Sequence, residues 1–198
     1  MNIDTEHIHY WMQAIRQSPD PMRTMDAFWS GQLQSKEWLI RNLRDHVKKF
    51  VTVDIHGGWV GVLASMLFQS NVPVKTIRSI DIDPGCEPIA TMMNKKEEMV
   101  GRFHAVTADM CDIESNADVI INTSCEHITQ DQYNLWLSVQ SANSLLVLQS
   151  NNYNIPEHIR PADSLAQFEQ QCGLSTVLWK GELELPLYKR WMVIGKNV

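Results

Sequence analysis

The spacing of apolar positions changes along the chain, and each change predicts a new element. Between residues 4 and 17, Ile8, Trp11, Met12 and Ile15 recur at i, i+3, i+4 and i+7, the spacing of one helical face. The run SPDP at residues 18–21 stops that helix. In FWSGQLQSKEWLIRNL, Ser35 is positioned to cap a second helix, with Trp38, Leu39, Asn42 and Leu43 at helical spacing. From Phe50 the pattern shifts to short apolar runs separated by helical stretches. Strands are predicted at Phe50–Ile55, in TIRSIDI, around Phe103–Val106, in ADVIINTS and in SLLVLQS. Helices are predicted at Gly61–Gln69, Glu87–Met99 and Gln130–Ser141. A helix at Ser164–Cys172, stopped by Gly173, precedes two strands, LSTVLWKGELEL and KRWMVIGK, with no helix between them.

Alternating strands and helices from 50 to 150 imply an α/β fold with a parallel sheet, and the two closing strands imply an antiparallel hairpin at one edge. No internal repeat, low-complexity tract or linker divides the chain. A single domain over residues 1–198 is expected, with residues 1–48 as a helical N-terminal cover and 49–198 as the core.

The 198 residues suffice for one substantial core, and 44% apolar with 20% charged residues is an ordinary globular balance. A net charge of -6 and a pI of about 5.6 argue against a general grip on nucleic acid, which needs a positive surface. The pairs Lys48-Lys49, Lys95-Lys96 and Lys189-Arg190 read as solvated faces. Four cysteines without C-x-x-C spacing give no zinc knuckle, so no metal is expected, and they read as reduced thiols of a cytoplasmic protein. The start of the chain does not resemble a signal peptide, and no apolar run approaches the ~20 residues of a membrane span.

Ligands of an open parallel sheet bind beyond the carboxyl ends of its strands. Four segments of this chain end there. In VDIHGGWVG, Gly57 and Gly58 permit close approach of a ligand to the main chain, or form a plain tight turn, while Gly61 allows close helix packing. Trp59 covers a ligand or packs beneath the following helix. In IDIDP, Asp81 either accepts both hydroxyls of a ribose or caps the turn, and Asp83 reads as the cap. In TADM, Asp109 either accepts from an adenine amino group or is a loop aspartate. In INTSCEHI, Asn122, Thr123 and Ser124 leave the fourth strand; Thr123 and Glu126 have capping-box spacing, and His127 is a base or a structural histidine.

In order and spacing these segments resemble the class I S-adenosylmethionine-dependent methyltransferases over roughly residues 35–195. VDIHGGWVG is similar to that family's D-x-G-x-G-x-G loop, IDIDP to its acidic end of strand two, TADM to its adenine-side acid, and the closing hairpin to its last strands. Aligned on Asp54, His56 stands at the first glycine of the loop and Val60 at the third. The resemblance implies a Rossmann-like three-layer sandwich: a seven-stranded, mostly parallel sheet, its terminal strand antiparallel, with helices on both faces. It implies S-adenosyl-L-methionine as cofactor. The methionine and ribose side would meet Asp54, His56, Gly57, Gly58, Trp59 and Asp81. Ile82, Asp109, Met110, Asn122 and Ser124 would complete the contacts.

A nicotinamide dehydrogenase is the nearest competing use of such a turn, but it wants G-x-G-x-x-G where this chain has HGGWVG, and the terminal hairpin favours the methyltransferase. Methyl transfer needs an acceptor aligned with the methyl group and a base only where the acceptor loses a proton. His127 and Glu126 are the candidate bases, and Asn122 positions. Gln32, Ser35 and Lys36, on a segment expected across the cofactor mouth, touch ligand or face solvent. Asn151, Asn152, Tyr153 and His158, in the polar stretch after strand five, are placed to recognise a polar small-molecule acceptor or to satisfy an irregular loop. No N-P-P-Y motif points to a nucleic-acid base. Two alternatives stand beside methylation: another S-adenosylmethionine reaction, by aminocarboxypropyl transfer or sulfonium cleavage, and a silent methyltransferase-like binding subunit.

Overall fold

Asp4 accepts the Glu6 N–H through its side chain and opens helix α1 (Thr5–Gln17). SPDP ends α1 and also starts a helix that the sequence pattern missed. Asp20 accepts the Arg23 N–H, Pro21 stands at the first helical position, and α2 spans Pro21–Asp26. Helix α3 runs Ser30–His46, so Ser35 is not its cap. Ser35 is buried within α3 and donates its hydroxyl to Gln149 Oε1 at 3.2 Å. The structure, a computed structural model, describes residues 4–197; Met1–Ile3 and Val198, the ends of the expected domain, lie outside the described residues.

Strand β1 (Val51–His56) leads through a turn into α4 (Val62–Phe68). β2 (Val74–Asp81) follows, then α5 (Cys86–Met93), α6 (Lys95–Met99) and β3 (Phe103–Thr107). The expected helix over 87–99 is thus two, broken at Asn94, whose amide donates to Gly61 O and Ala90 O, both at 3.0 Å. β4 (Val119–Asn122), α7 (Gln130–Ser138), β5 (Leu145–Asn151), α8 (Leu165–Cys172), β6 (Thr176–Glu184) and β7 (Lys189–Lys196) complete the chain.

The strands form one sheet in the order β3-β2-β1-β4-β5-β7-β6. β1 to β5 pair in parallel, and β7 runs antiparallel to β5 and β6. The α/β architecture expected from the sequence is present, with the terminal strand antiparallel. The order of strand addition reverses between β1 and β4, the switch point at which such sheets bind ligands. Strand residues alternate between two cores. Val53, Ile55, Ile121 and Val147 pack with residues of α3, α4 and α5, while Ile120, Leu146, Leu148 and Val193 pack with α7 and α8. Among the described residues no helix is long and apolar enough to cross a membrane.

That alternation decides what the end of β1 can do. Asp54 and His56 share the face of α7 and turn away from Ile55. His56 is fully buried, and its Nδ1 accepts from Trp136 Nε1 at 3.0 Å. A ring that accepts at Nδ1 is neutral and carries its proton on Nε2. Burial pushes its pKa down to about 4, with Asp54 opposing the shift less strongly. The stretch of Asp54 and His56 expected to meet the cofactor is structural instead.

Gly61 begins α4 with φ +79°. A Cβ there would stand 3.1 Å from Ala90 Cα and 2.6 Å from Asn94 Nδ2, so glycine sets how closely α4 approaches α5.

Gly61→Ala combines an unfavourable φ with overpacking and is expected to cost roughly 2–4 kcal/mol. Gly101 has φ +72° but open space around it, so Gly101→Ala should cost only about 1–2 kcal/mol. Urea denaturation of both variants isolates the packing contribution; equal losses would remove it.

His56 also sets a pH dependence. The unfolded ring binds a proton near ~6.5, the folded one only near about 4. Between these values the unfolded state holds the extra proton, so stability is complete above pH ~6.5 and falls as pH drops toward 4, by roughly 1–3 kcal/mol. His56→Gln keeps an acceptor for Trp136 and should flatten that part of a melting-temperature profile; an unchanged profile assigns the acid sensitivity to other groups.

Candidate functional site

A cavity of about 890 Å³ lies at the carboxyl ends of the parallel strands. Its floor is made by Gly57–Trp59 after β1, Asp81–Asp83 after β2 and Ala108–Met110 after β3. Thr123, Ser124 and Glu126–Ile128 after β4 and Asn151 at the end of β5 continue the wall. Arg23 and Asp26 of α2 and Gln32 and Lys36 of α3 line it from the N-terminal segment.

The turn after β1 is fixed by β2. Gly58 N–H donates to Ile80 O at 2.9 Å, and Gly61 N–H to Gly58 O at 3.1 Å. Trp59 has φ +47°, in the left-handed region that a bulky side chain rarely adopts, and its N–H donates to Asp81 Oδ2 at 2.8 Å. Gly57 lines the cavity with φ +67°, and a Cβ there would meet Ser124 Oγ at 2.5 Å, so the turns after β1 and β4 touch only because the residue is glycine. The indole of Trp59 both lines the cavity and packs on the core.

Asp81 accepts one backbone N–H on each oxygen, from Trp59 and from Asp83, the latter at 3.0 Å. A carboxylate oxygen accepts more than one bond, so both oxygens keep capacity toward the cavity. Asp83 is the cap expected from the sequence: Oδ1 accepts from Gly85 N–H at 2.8 Å, and Arg23 pairs with its Oδ2 at 2.6 Å, which fastens α2 to this loop. The Gly85 N–H and Arg23 together hold the Asp83 carboxyl below the usual range. Asp109 accepts Cys111 N–H on Oδ1 at 2.9 Å, and Ile82 is exposed beside the cavity.

Of the residues expected at the cofactor, Gly57, Gly58, Trp59, Asp81, Ile82, Asp109, Met110 and Ser124 line the cavity, and Asp54, His56 and Asn122 do not. Asp54 is buried and accepts Arg78 Nε at 3.1 Å, Arg78 Nη2 and the hydroxyl of Ser115, a tie between β1 and β2. Val60, at the other departure from the glycine loop, is buried in the core. Asn122 is buried, accepts Ser124 N–H at 2.9 Å and directs Nδ2 at Met110 Sδ, so it shapes the wall from behind.

The Thr123–Glu126 capping box does not form. The capping box of α7 is Thr129 with Gln132. Residues Cys125–His127 instead make one 3-10 turn in which Glu126 is buried. Glu126 Oε1 accepts from Asn151 Nδ2 and stands 3.8 Å from Arg190 Nη1, while Oε2 has no hydrogen-bond partner. Arg190 is itself buried, with Nη2 donating to Thr123 O at 2.6 Å and Nε to Gln149 Oε1 at 3.1 Å. The reading of Lys189-Arg190 as a solvated pair is therefore wrong for Arg190, which points inward, and holds only for its partly exposed neighbour Lys189.

His127 is exposed, with Nδ1 at 3.0 Å from Glu157 O; His158 lines the cavity with Nδ1 at 2.6 Å from Tyr153 O. Of the four residues expected to recognise an acceptor, Asn151 and His158 line the cavity. Asn152 accepts Lys189 N–H and Tyr153 packs at 5.4 Å against Tyr188, which lines the cavity; neither Asn152 nor Tyr153 is itself in the lining. Lys36, half-buried, donates to Gln32 Oε1 at 2.8 Å, and burial, helped by the Arg190 charge, pushes its pKa down to about 7.

No protein-family model matches the chain, and no curated protein matches its sequence. Solved structures do. The magnesium protoporphyrin IX methyltransferase ChlM from Synechocystis PCC 6803 with bound SAH superposes over 98% of this chain and 95% of its own, at 14% identity and a TM-score of 0.66. The N-methyltransferase NodS from Bradyrhizobium japonicum WM9 in complex with S-adenosyl-l-homocysteine matches 95% of this chain and 98% of its own, at 12% identity and 0.65. The small RNA methyltransferase HEN1 matches 83% of this chain and 25% of its own, at 17% identity and 0.64. The fold of this chain is that of the class I S-adenosylmethionine-dependent methyltransferases.

Proposed function

We propose that this protein binds S-adenosylmethionine in the cavity at the ends of β1 to β4 and transfers its methyl group to a polar small molecule. One observation carries the reading: Asp81 and Asp109, at the ends of the neighbouring strands β2 and β3, line the same cavity as the Gly57–Trp59 turn. The residues fit the ligand. Asp81 keeps acceptor capacity for two ribose hydroxyls after its two backbone bonds, and Asp109 keeps an oxygen for an exocyclic amine. Ile82 offers an apolar surface to a base, and Arg190 and Arg23 supply cations for a carboxylate. When bound, the cofactor supplies a methyl group on a sulfonium, open to in-line displacement by a nucleophile.

The chain's own residues then position and deprotonate. Asn151 and His158 border the acceptor side. A neutral His127 whose Nδ1–H is turned to Glu157 O presents Nε2, and Lys36 loses its proton near neutral pH, so each is a candidate base. Glu126 is a poorer base than its motif suggests, because Asn151 and Arg190 hold its Oε1. The departures at His56 and Val60 are buried and lie outside the cavity lining, which favours a ligand-binding turn over a silent subunit. The neighbours include a porphyrin methyltransferase and a small RNA methyltransferase; the net charge of -6 favours the small acceptor here.

Calorimetry should show saturable binding of S-adenosylmethionine and S-adenosylhomocysteine, with no comparable binding of NAD. Asp81→Ala should weaken that binding at least tenfold, corresponding to about 1.4 kcal/mol or more, with the melting temperature reported alongside because Trp59 and Asp83 lose their acceptor. Binding of NAD alone would overturn the assignment. With labelled cofactor and an acceptor in hand, S-adenosylhomocysteine must appear as product; methylthioadenosine in its place would mean aminocarboxypropyl transfer or sulfonium cleavage.

A further inference from the structure

One donor atom each from Glu126, His127 and His158 lies within 4.8 Å of the others, in the wall of the same cavity. We propose that these three side chains bind a divalent first-row transition-metal ion. The set has features that a chance cluster lacks. Glu126 is 2% exposed and its Oε2 has no partner. A buried carboxylate oxygen without a hydrogen bond is costly, and a cation is the partner that relieves it. Each imidazole has Nδ1 within hydrogen-bond distance of a backbone carbonyl, of Glu157 for His127 and of Tyr153 for His158. Carbonyls only accept, so in the neutral rings Nδ1 carries the proton and Nε2 keeps its lone pair. Metal-ligating histidines are oriented in this way.

The scaffold holds the donors in place. The turn carrying Glu126 and His127 is anchored by Arg190 on Thr123 O at 2.6 Å and by Arg160 on Cys125 O at 3.1 Å, and Glu126 O accepts the Arg160 N–H at 2.9 Å. The loop carrying His158 is anchored through Asn151, whose Oδ1 accepts Tyr153 N–H at 2.8 Å and whose carbonyl accepts Ala162 N–H at 3.0 Å. Asn151 also donates to Glu126, so one residue links the two ligand-bearing segments. Bonds of about 2.0–2.2 Å put ligand atoms about 3–3.5 Å apart, so closure needs side-chain rotations of about 1 Å.

Two imidazoles and one carboxylate favour zinc, iron, manganese, cobalt or nickel over calcium or magnesium. Three protein ligands leave open positions on the cavity side, where an acceptor oxygen or nitrogen would coordinate and become easier to deprotonate. An ion there occupies the His127 lone pair and leaves Lys36 as the proton acceptor. That consequence rests on the methyltransferase reading, whereas metal binding itself does not.

The test uses tag-free, chelator-treated protein titrated with Co²⁺. The expected result is a visible absorption band saturating at one ion per chain, displaced by Zn²⁺, with a rise in melting temperature. His127→Ala and His158→Ala should each weaken Co²⁺ at least tenfold, and His46→Ala, away from the cavity, should leave it unchanged. Glu126→Gln should also weaken it; should that variant fail to fold, the two histidine variants, at residues that reach solvent, decide. Absence of a saturable band, or unchanged affinity in both histidine variants, overturns the proposal. Calorimetry of S-adenosylmethionine on the same metal-free protein separates the two readings: Co²⁺ binding without cofactor binding removes only the methyltransferase assignment, and the converse removes only the metal site.

Discussion

The Asp81 carboxylate organises the mouth of this sheet. It receives the N–H of Trp59 from the turn after β1 and the N–H of Asp83 from its own loop, so two chain segments meet on one negative charge. The first bond holds Trp59 in a left-handed conformation that such a residue adopts at a cost of order 1–3 kcal/mol. Charge-assisted hydrogen bonding and the packing of the indole on the core offset that strain. Asp83 extends the arrangement outward by pairing with Arg23, which draws α2 against the cavity. Loop, second strand and cover are therefore one coupled unit, and the position of the cavity follows from it.

Much of this was legible in the sequence because it depends on local pattern. The order of strands and helices, the antiparallel hairpin, Asp83 as a cap, Gly61 at a helix contact and Gly173 as the stop of α8 all follow from spacing and residue type. The start of α2 was legible as well, since Asp20-Pro21 is a cap followed by a first-turn proline, but the same residues also end α1 and were read only for that.

The errors share a cause. A motif aligned on Asp54 assigns roles by position in the loop, whereas a strand assigns them by face. Asp54 and His56 lie two apart, so they point the same way, and the facing partners that fix that direction are Arg78, Ser115 and Trp136, far away in sequence. Alternation alone would have put both on one face but not have said which. Glu126 was misread for a similar reason. Its spacing from Thr123 suits a cap, yet Arg190 and Asn151, both distant in sequence, draw it into the wall. Arg190 was hidden by its neighbour Lys189: the two adjoin in a basic pair, but in β7 successive side chains take opposite sides.

The same buried arginine links the covering helix to the cavity wall. Gln149 Oε1 accepts from both Ser35 of α3 and Arg190 of β7, and Arg190 reaches onward to Thr123 O and toward Glu126. An arginine guanidinium is a fixed cation in proteins. The positive charge is therefore permanent, and Lys36, on the same helix as Ser35 and next to Arg190, is the member of the pair that yields: burial first, and repulsion second, lower its pKa to about 7. Glu126 counters the arginine with one oxygen and leaves the other without a hydrogen-bond partner. A fixed cation thus does two things at once. On one side it adds to the burial that lowers the Lys36 pKa, and on the other it stands 3.8 Å from the Glu126 carboxylate, so the two flanks of the cavity share one charge.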